Sequence, residues 1–166
     1  MGQTRNPVGR RTALFAGSFD PITNGHVDLV ARGLRLFDAV VVAVGNNPAK
    51  RYLLPLEERV GLARRALLEA GLDVEVSAFE GLLVEAARKH GADVMLRGLR
   101  GPADLELELR NASGNRDLSG IDTVFLPSLP QHLYVSSSLV REIASHGGDV
   151  SRYVPRVVLE RLTGRG

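Results

Sequence analysis

Cysteine and tryptophan are both missing from this 166-residue chain, and other aromatics are few: five phenylalanines and three tyrosines. Without a thiol there is no disulfide, no cysteine nucleophile and no thiolate metal site, and the chain suits a reducing compartment such as the cytoplasm. Scarce rings and a formal charge of only +2 leave no basic stripe with interleaved aromatics, so no nucleic-acid partner is expected. Long hydrophobic runs are lacking as well. The longest, Ala39 to Val44, is far short of a membrane span, and no apolar leader opens the chain, so neither a membrane segment nor a signal peptide is expected. Histidines and carboxylates nowhere fall at the spacing of a protein-held metal. What is present is ordinary for a soluble globular domain, with 44% apolar and 24% charged residues.

That length fits one domain with a sizeable core. Residues 1–11, with Arg5, Arg10 and Arg11, read as a flexible polar tail, and residues 12–166 as the domain. Strand and helix signals then alternate to the end. Thr12 to Phe15 is a short apolar run, Val27, Val30, Ala31 and Leu34 recur at helical spacing, and Ala39 to Val44 is the unalternating run of a strand buried on both faces. Pro55 opens a helix stopped by Gly71, Asp73 to Ala78 is a strand, and Gly81 to His90 is a helix. Asp93 to Leu96 and Thr123 to Leu126 are strands, and Ser136–Ser145 and Pro155–Leu162 are the closing helices. Ala103 to Arg110 alternates with period two, which favours a strand, yet leucine and glutamate are good helix formers and a crossover helix is due there, so a helix is expected. The expectation is a Rossmann-like α/β fold: a doubly wound, five-stranded parallel sheet with helices on both faces.

In such sheets ligands bind beyond the C-terminal strand ends. The informative polar residues fall there: Ser18 and His26 after the first strand, Lys50 after the second, Arg97 and Arg100 after the fourth, and Ser136 to Ser138 after the fifth. Gly17 lets backbone approach a ligand closely, and the unpaired N–H groups of the following helix make an anion site that His26, in its first turn, can extend. Lys50, Arg97, Arg100, Arg141 and His26 would gather positive charge with few carboxylates opposing it, which suits a polyphosphate. Ser136 to Ser138 could equally cap the helix they begin. His90 and His146 sit near helix ends and read as structural or solvated, and the role of His132 is open.

Thr23-Asn24-Gly25-His26 fits the T/H-x-G-H signature of nucleotidylyltransferases, and Val135 to Arg141 resembles their triphosphate motif I-S-S/T-S/T-x-x-R. With Asn47-Pro48-Ala49-Lys50, Leu56 to Arg59, and Arg97 to Arg100 followed by Asp104, Glu106 and Glu108, roughly residues 12–160 resemble the bacterial phosphopantetheine adenylyltransferases. The resemblance implies adenylyl transfer from ATP to 4′-phosphopantetheine, with Mg²⁺ held mainly by ATP phosphates, a cytoplasmic homohexamer and feedback by coenzyme A. It implies catalytic roles for His26, Lys50 and Ser18. It implies an ATP site of Gly17, Ser18, Phe19, His26, Arg97, Gly98, Arg100, Glu108, Val135, Ser136, Ser137, Ser138 and Arg141. Acceptor contacts are implied for Ser18, Lys50, Leu82, Leu83 and Arg97. Two departures stand out: Ala16 replaces a proline, and Arg110 to Arg116 lacks the larger apolar residues, including a methionine, that contact the pantetheine arm and neighbouring subunits in the family. A transferase for another phosphate acceptor, such as nicotinamide mononucleotide or glycerol 3-phosphate, and a nucleotide-binding regulatory module without turnover remain open.

Overall fold

The computed structural model describes residues 9–164; most of the 1–11 tail lies outside them. Five strands, β1 (Thr12–Gly17), β2 (Ala39–Asn46), β3 (Glu75–Glu80), β4 (Val94–Leu99) and β5 (Asp122–Pro127), form one sheet in the order β3-β2-β1-β4-β5. Every pairing is parallel. The helices are α1 (Asn24–Gly33), α2 (Leu56–Glu69), α3 (Leu83–Lys89), α4 (Pro102–Ser119), α5 (Ser137–Ser145) and α6 (Arg156–Thr163). Among the described residues no helix is long and apolar enough to cross a membrane.

Strand pleating divides the core. Ala13, Phe15, Val40, Val42, Val44 and Leu96 face one layer, with Leu29, Val30, Ala63, Leu67, Val140 and Val157 from α1, α2, α5 and α6. Leu14, Ala16, Val41, Ala43 and Met95 face the other, against Val84, Ala86 and Ala87 of α3. A strand buried on both faces has no polar side to show, which explains the unbroken apolar run of β2. Close packing of α1 on β4 depends on Gly33, where an added Cβ would come within 2.7 Å of Leu96 Cδ2. The chain order runs outward from β1 to β3 and then returns to place β4 on the other side of β1. The loops after β1 and β4 therefore diverge, and the crevice between them is where a ligand can enter.

The segment with period-two leucines is helical, as expected, and α4 runs on to Ser119. Two placements differ from the sequence reading. Arg97 lies inside β4 rather than beyond it, because pairing with β5 continues through Leu99↔Pro127. Leu82 precedes α3 as its N-cap instead of entering the helix.

Candidate active site

At the β1–α1 junction Thr23 caps the helix. Its hydroxyl accepts from the His26 N–H, while its own N–H donates to His26 Nδ1 at 3.0 Å. Because Nδ1 is an acceptor there, the ring proton resides on Nε2, which is the group His26 can offer to the cleft it lines. Phe19, at φ 47°, sets its ring edge-on to the imidazole with centroids 5.0 Å apart. Burial first, then the charges of Arg97 and Arg100, push the His26 pKa down to about 4. At neutral pH the side chain is an uncharged donor of fixed orientation.

The loop around it is tied down from three directions. Asp20, buried, accepts from the N–H groups of Leu53 at 2.7 Å and Leu54 at 2.9 Å. Arg59 of α2, only 1% exposed, donates to the carbonyls of Leu54, Ser18 and Gly45 and to Asn46 Oδ1. From α5, Arg141 donates to the Asp20 carbonyl at 2.6 Å and Ser137 to the Pro21 carbonyl at 2.8 Å. Ser136 caps α5 through the Leu139 N–H.

Two clefts meet here. The first, about 360 Å³, runs between α1, the end of β4, α4 and the start of α5. Gly17, Phe19, His26, Gly98 and Arg100 line it, as do Glu108, Val135, Ser136 and Ser137. The second, about 220 Å³, holds Ser18, Lys50, Tyr52 and Leu83. Ala16, Gly17 and Arg97 belong to both. His26 thus sits on one side of a shared wall, with Ser18 and Lys50 on the other. Ser138, Arg141 and Leu82 line neither cleft.

The expectation of cations with few opposing carboxylates is corrected. Arg97 makes a two-point pair with Glu108, at 2.9 and 2.6 Å, and its third donor reaches the Ala16 carbonyl at 2.6 Å. Arg100 pairs with Asp104 at 3.0 and 3.2 Å, and the guanidinium holds that carboxyl below its usual pKa. Asp104 and Glu108 are four residues apart, so helix formation stacks both on the face turned to β4.

The sequence reading gave no role to Arg59 or Asp20 and left that of His132 open. Arg59 carried a signal: it stands three and four residues before Leu62 and Ala63, on the buried stripe of α2. His132 lines the first cleft beside Gly25, and nothing in its spacing marked it. Among the described residues no three histidine or carboxylate side chains are grouped to hold a metal ion.

The cytidylyltransferase-like family model matches residues 14–143. A phosphopantetheine adenylyltransferase from Stenotrophomonas maltophilia (strain K279a) is 53% identical over 156 residues, covering 93% of this chain and 92% of that protein. One from Arthrobacter sp. (strain FB24) is 49% identical over 152 residues, covering 92% and 96%. Among solved structures, a bifunctional NMN adenylyltransferase/ADP ribose pyrophosphatase from Francisella tularensis, complexed with AMP and a manganese ion, superposes with a TM-score of 0.69. It is 15% identical and covers 95% of this chain and 49% of that one, a likeness of fold alone.

Proposed function

The chain belongs to the phosphopantetheine adenylyltransferases of the cytidylyltransferase-like family, nucleotidyltransferases of coenzyme A biosynthesis, and from that premise we propose how its two clefts divide the reaction. A phosphate oxygen of 4′-phosphopantetheine attacks the α-phosphorus of ATP. The bond from that phosphorus to the β-phosphate's bridging oxygen breaks, giving dephospho-coenzyme A and pyrophosphate. The nucleophile is already ionised at neutral pH, so the site needs orientation and charge stabilisation rather than a general base.

In this reading ATP occupies the first cleft, against Gly17, Phe19, Gly98, Arg100, Val135 and Ser136, with His132 beside it. The acceptor phosphate occupies the second, held by Ser18 and Lys50. His26 donates its Nε2 proton to the α-phosphate and strengthens that bond as charge builds there. Arg97, fixed by Glu108, forms the wall between the two phosphates. Glu108 is then a positioning residue for Arg97. Ser137, Ser138 and Arg141 act through the β1–α1 loop and the α5 N-terminus. The observation that carries the reading is the neutral, capped His26 facing the wall shared by both clefts.

A divalent cation fits this donor set only as a passenger on the nucleotide, because Asp104 and Glu108 are already engaged by arginines. Mg²⁺ bound to phosphate oxygens would neutralise charge on the departing pyrophosphate. A homohexamer is consistent with α4, whose Leu105, Leu107, Leu109 and Leu118 are all exposed. Coenzyme A, which carries both substrates' chemistry, would compete across both clefts, and the cytoplasm is the fitting compartment. The test is pyrophosphate release from ATP and Mg²⁺, with and without 4′-phosphopantetheine. Release that needs the acceptor and disappears in His26→Ala supports the reading. ATP binding without release would leave a nucleotide-binding module.

A further inference from the structure

The residues from Asn47 to Arg51 are all exposed, and Lys50, assigned above to the acceptor phosphate, stands among them. Exposed residues gain little order from packing, so the placement of this lysine has to come from hydrogen bonds. Within the turn, the Asn47 carbonyl accepts from the Lys50 N–H at 2.9 Å, and Asn47 Oδ1 accepts from the Ala49 N–H at 2.9 Å. These two bonds set the shape of the turn but not its orientation towards the cleft. The Asn47 N–H reaches beyond the turn and donates to the Tyr52 hydroxyl at 2.8 Å.

Tyr52 is in turn held by the core. Its half-buried ring lies on the guanidinium of Arg59, with Cζ 3.9 Å from the ring centroid, an attractive contact between a cation and a ring face. That guanidinium cannot turn, because it is buried and donates to the Leu54, Ser18 and Gly45 carbonyls and to Asn46 Oδ1. Ser18, Lys50 and Tyr52 line the same cleft. One buried cation thus fixes the Ser18 backbone directly and reaches the lysine turn through a phenol. Stacking holds the ring, but only the oxygen carries its position to Asn47.

We propose that Tyr52 is a positioning residue for Lys50: its hydroxyl registers the Asn47–Lys50 turn against Arg59, so that the lysine and Ser18 meet the acceptor phosphate together. The inference rests on the adenylyltransferase reading. Without the hydroxyl the Asn47 N–H turns to water and the turn samples other orientations. Part of the acceptor's binding energy is then used to order it.

Tyr52→Phe keeps the ring on Arg59 and removes only the oxygen, so this variant is expected to fold. The affinity for 4′-phosphopantetheine is measured by calorimetry, which needs no turnover, for the native enzyme, Tyr52→Phe, Lys50→Ala and the double variant. ATP binding and pyrophosphate release are followed beside it. Tyr52→Phe is expected to weaken acceptor binding about 3–10-fold, the worth of one hydrogen bond, and to leave ATP affinity unchanged. On the Lys50→Ala background the same substitution should cost less than about twofold, because the residue it positions is gone. Full cost on both backgrounds overturns the inference, since Tyr52 would then touch the acceptor itself or support the fold at large. Unchanged acceptor binding in Tyr52→Phe overturns it too, as does an equal loss of ATP affinity. In each of these cases pyrophosphate release by the native enzyme leaves the parent reaction standing. A native enzyme that releases none in the presence of the acceptor overturns both.

Discussion

The β1–α1 corner and the α4 wall face each other across the clefts and are built in opposite ways. At the corner, Asp20, Thr23 and Arg59 are buried charged or polar side chains, and each is matched to backbone partners at hydrogen-bond distance. Across from it, α4 has no buried residue in its 18 and exposes four leucines. Its polar ties to the fold include Arg97–Glu108, Arg100–Asp104, Arg116–Asp122 and the Arg88 donor to the Leu118 carbonyl. In-line displacement tolerates little error at the reacting phosphorus, and in the proposed reading His26 and Ser18 come to it from the corner, with Lys50 from the loop after β2. The far end of an acceptor arm makes no such demand, and the departures at Arg110 to Arg116 fall on α4.

The strongest way to break that contrast is His26→Ala. If the corner serves the transition state, kcat should fall about 10²–10³-fold while ATP affinity changes little, as for removal of one positioned donor. Steady-state kinetics beside equilibrium nucleotide binding separates the two. Comparable losses in both would mean that His26 binds the ground state equally well.

Arg59→Leu is next. It strands the carbonyls of Leu54, Ser18 and Gly45, and chemical denaturation should report a loss of about 3 kcal/mol. On the other wall Arg110→Leu removes an exposed pair with Glu106 at 3.4 Å and should cost well under about 1 kcal/mol. Similar losses at the two sites would dissolve the contrast.

Acid should find the same asymmetry. The His26 pKa is lowered in the folded protein, from 6.5 to about 4, so between those values the unfolded chain binds the proton and the folded one does not. Stability therefore falls as pH drops through this window, by about 1.4 kcal/mol per unit from this group. Asp104 on α4 is also held low, by Arg100, but its contribution is lost only as pH falls below its ordinary value of 3.8. His26→Gln should flatten the upper window and leave the lower one. A slope that survives the substitution would place its source elsewhere.

These cases also mark what a reader of the sequence could reach. The parallel sheet was legible because buried strands such as Ala39–Asn46 show continuous β-branched runs, and the cluster around His26 was legible because cap, glycine and imidazole are adjacent in sequence. Asp104 and Glu108 escaped as partners of Arg100 and Arg97. In an alternating Leu-Glu run they look like solvent-facing charges, and only the helical turn together with the position of β4 brings them to the arginines. The neutrality of His26 escaped for a related reason, since its largest cause is burial and the next are two arginines more than seventy residues away. Arg59 stood in a quoted motif without a role, because the carbonyls that accept from it lie in three separate places, the loop after β1, the end of β2 and the segment before α2.

Gly114→Ala is the smallest and in one respect the sharpest test. Position 114 lies inside α4, has ordinary helical backbone and leaves 4 Å of open space around a new methyl group. Alanine there lowers the entropy of the unfolded chain and meets no clash, so a loose wall predicts a gain of about 0.5–1 kcal/mol in denaturant unfolding. A measured loss would mean that the methyl group strikes something the isolated fold does not contain. Since α4 carries its leucines outward, the nearest such object is a second copy of the chain. Sedimentation of the native and variant proteins at matched concentration then decides between them. If the variant is less stable and also dissociates, α4 is a rigid wall whose order is supplied by assembly. If it is more stable at unchanged mass, the wall is loose by construction and the corner alone sets the geometry of transfer.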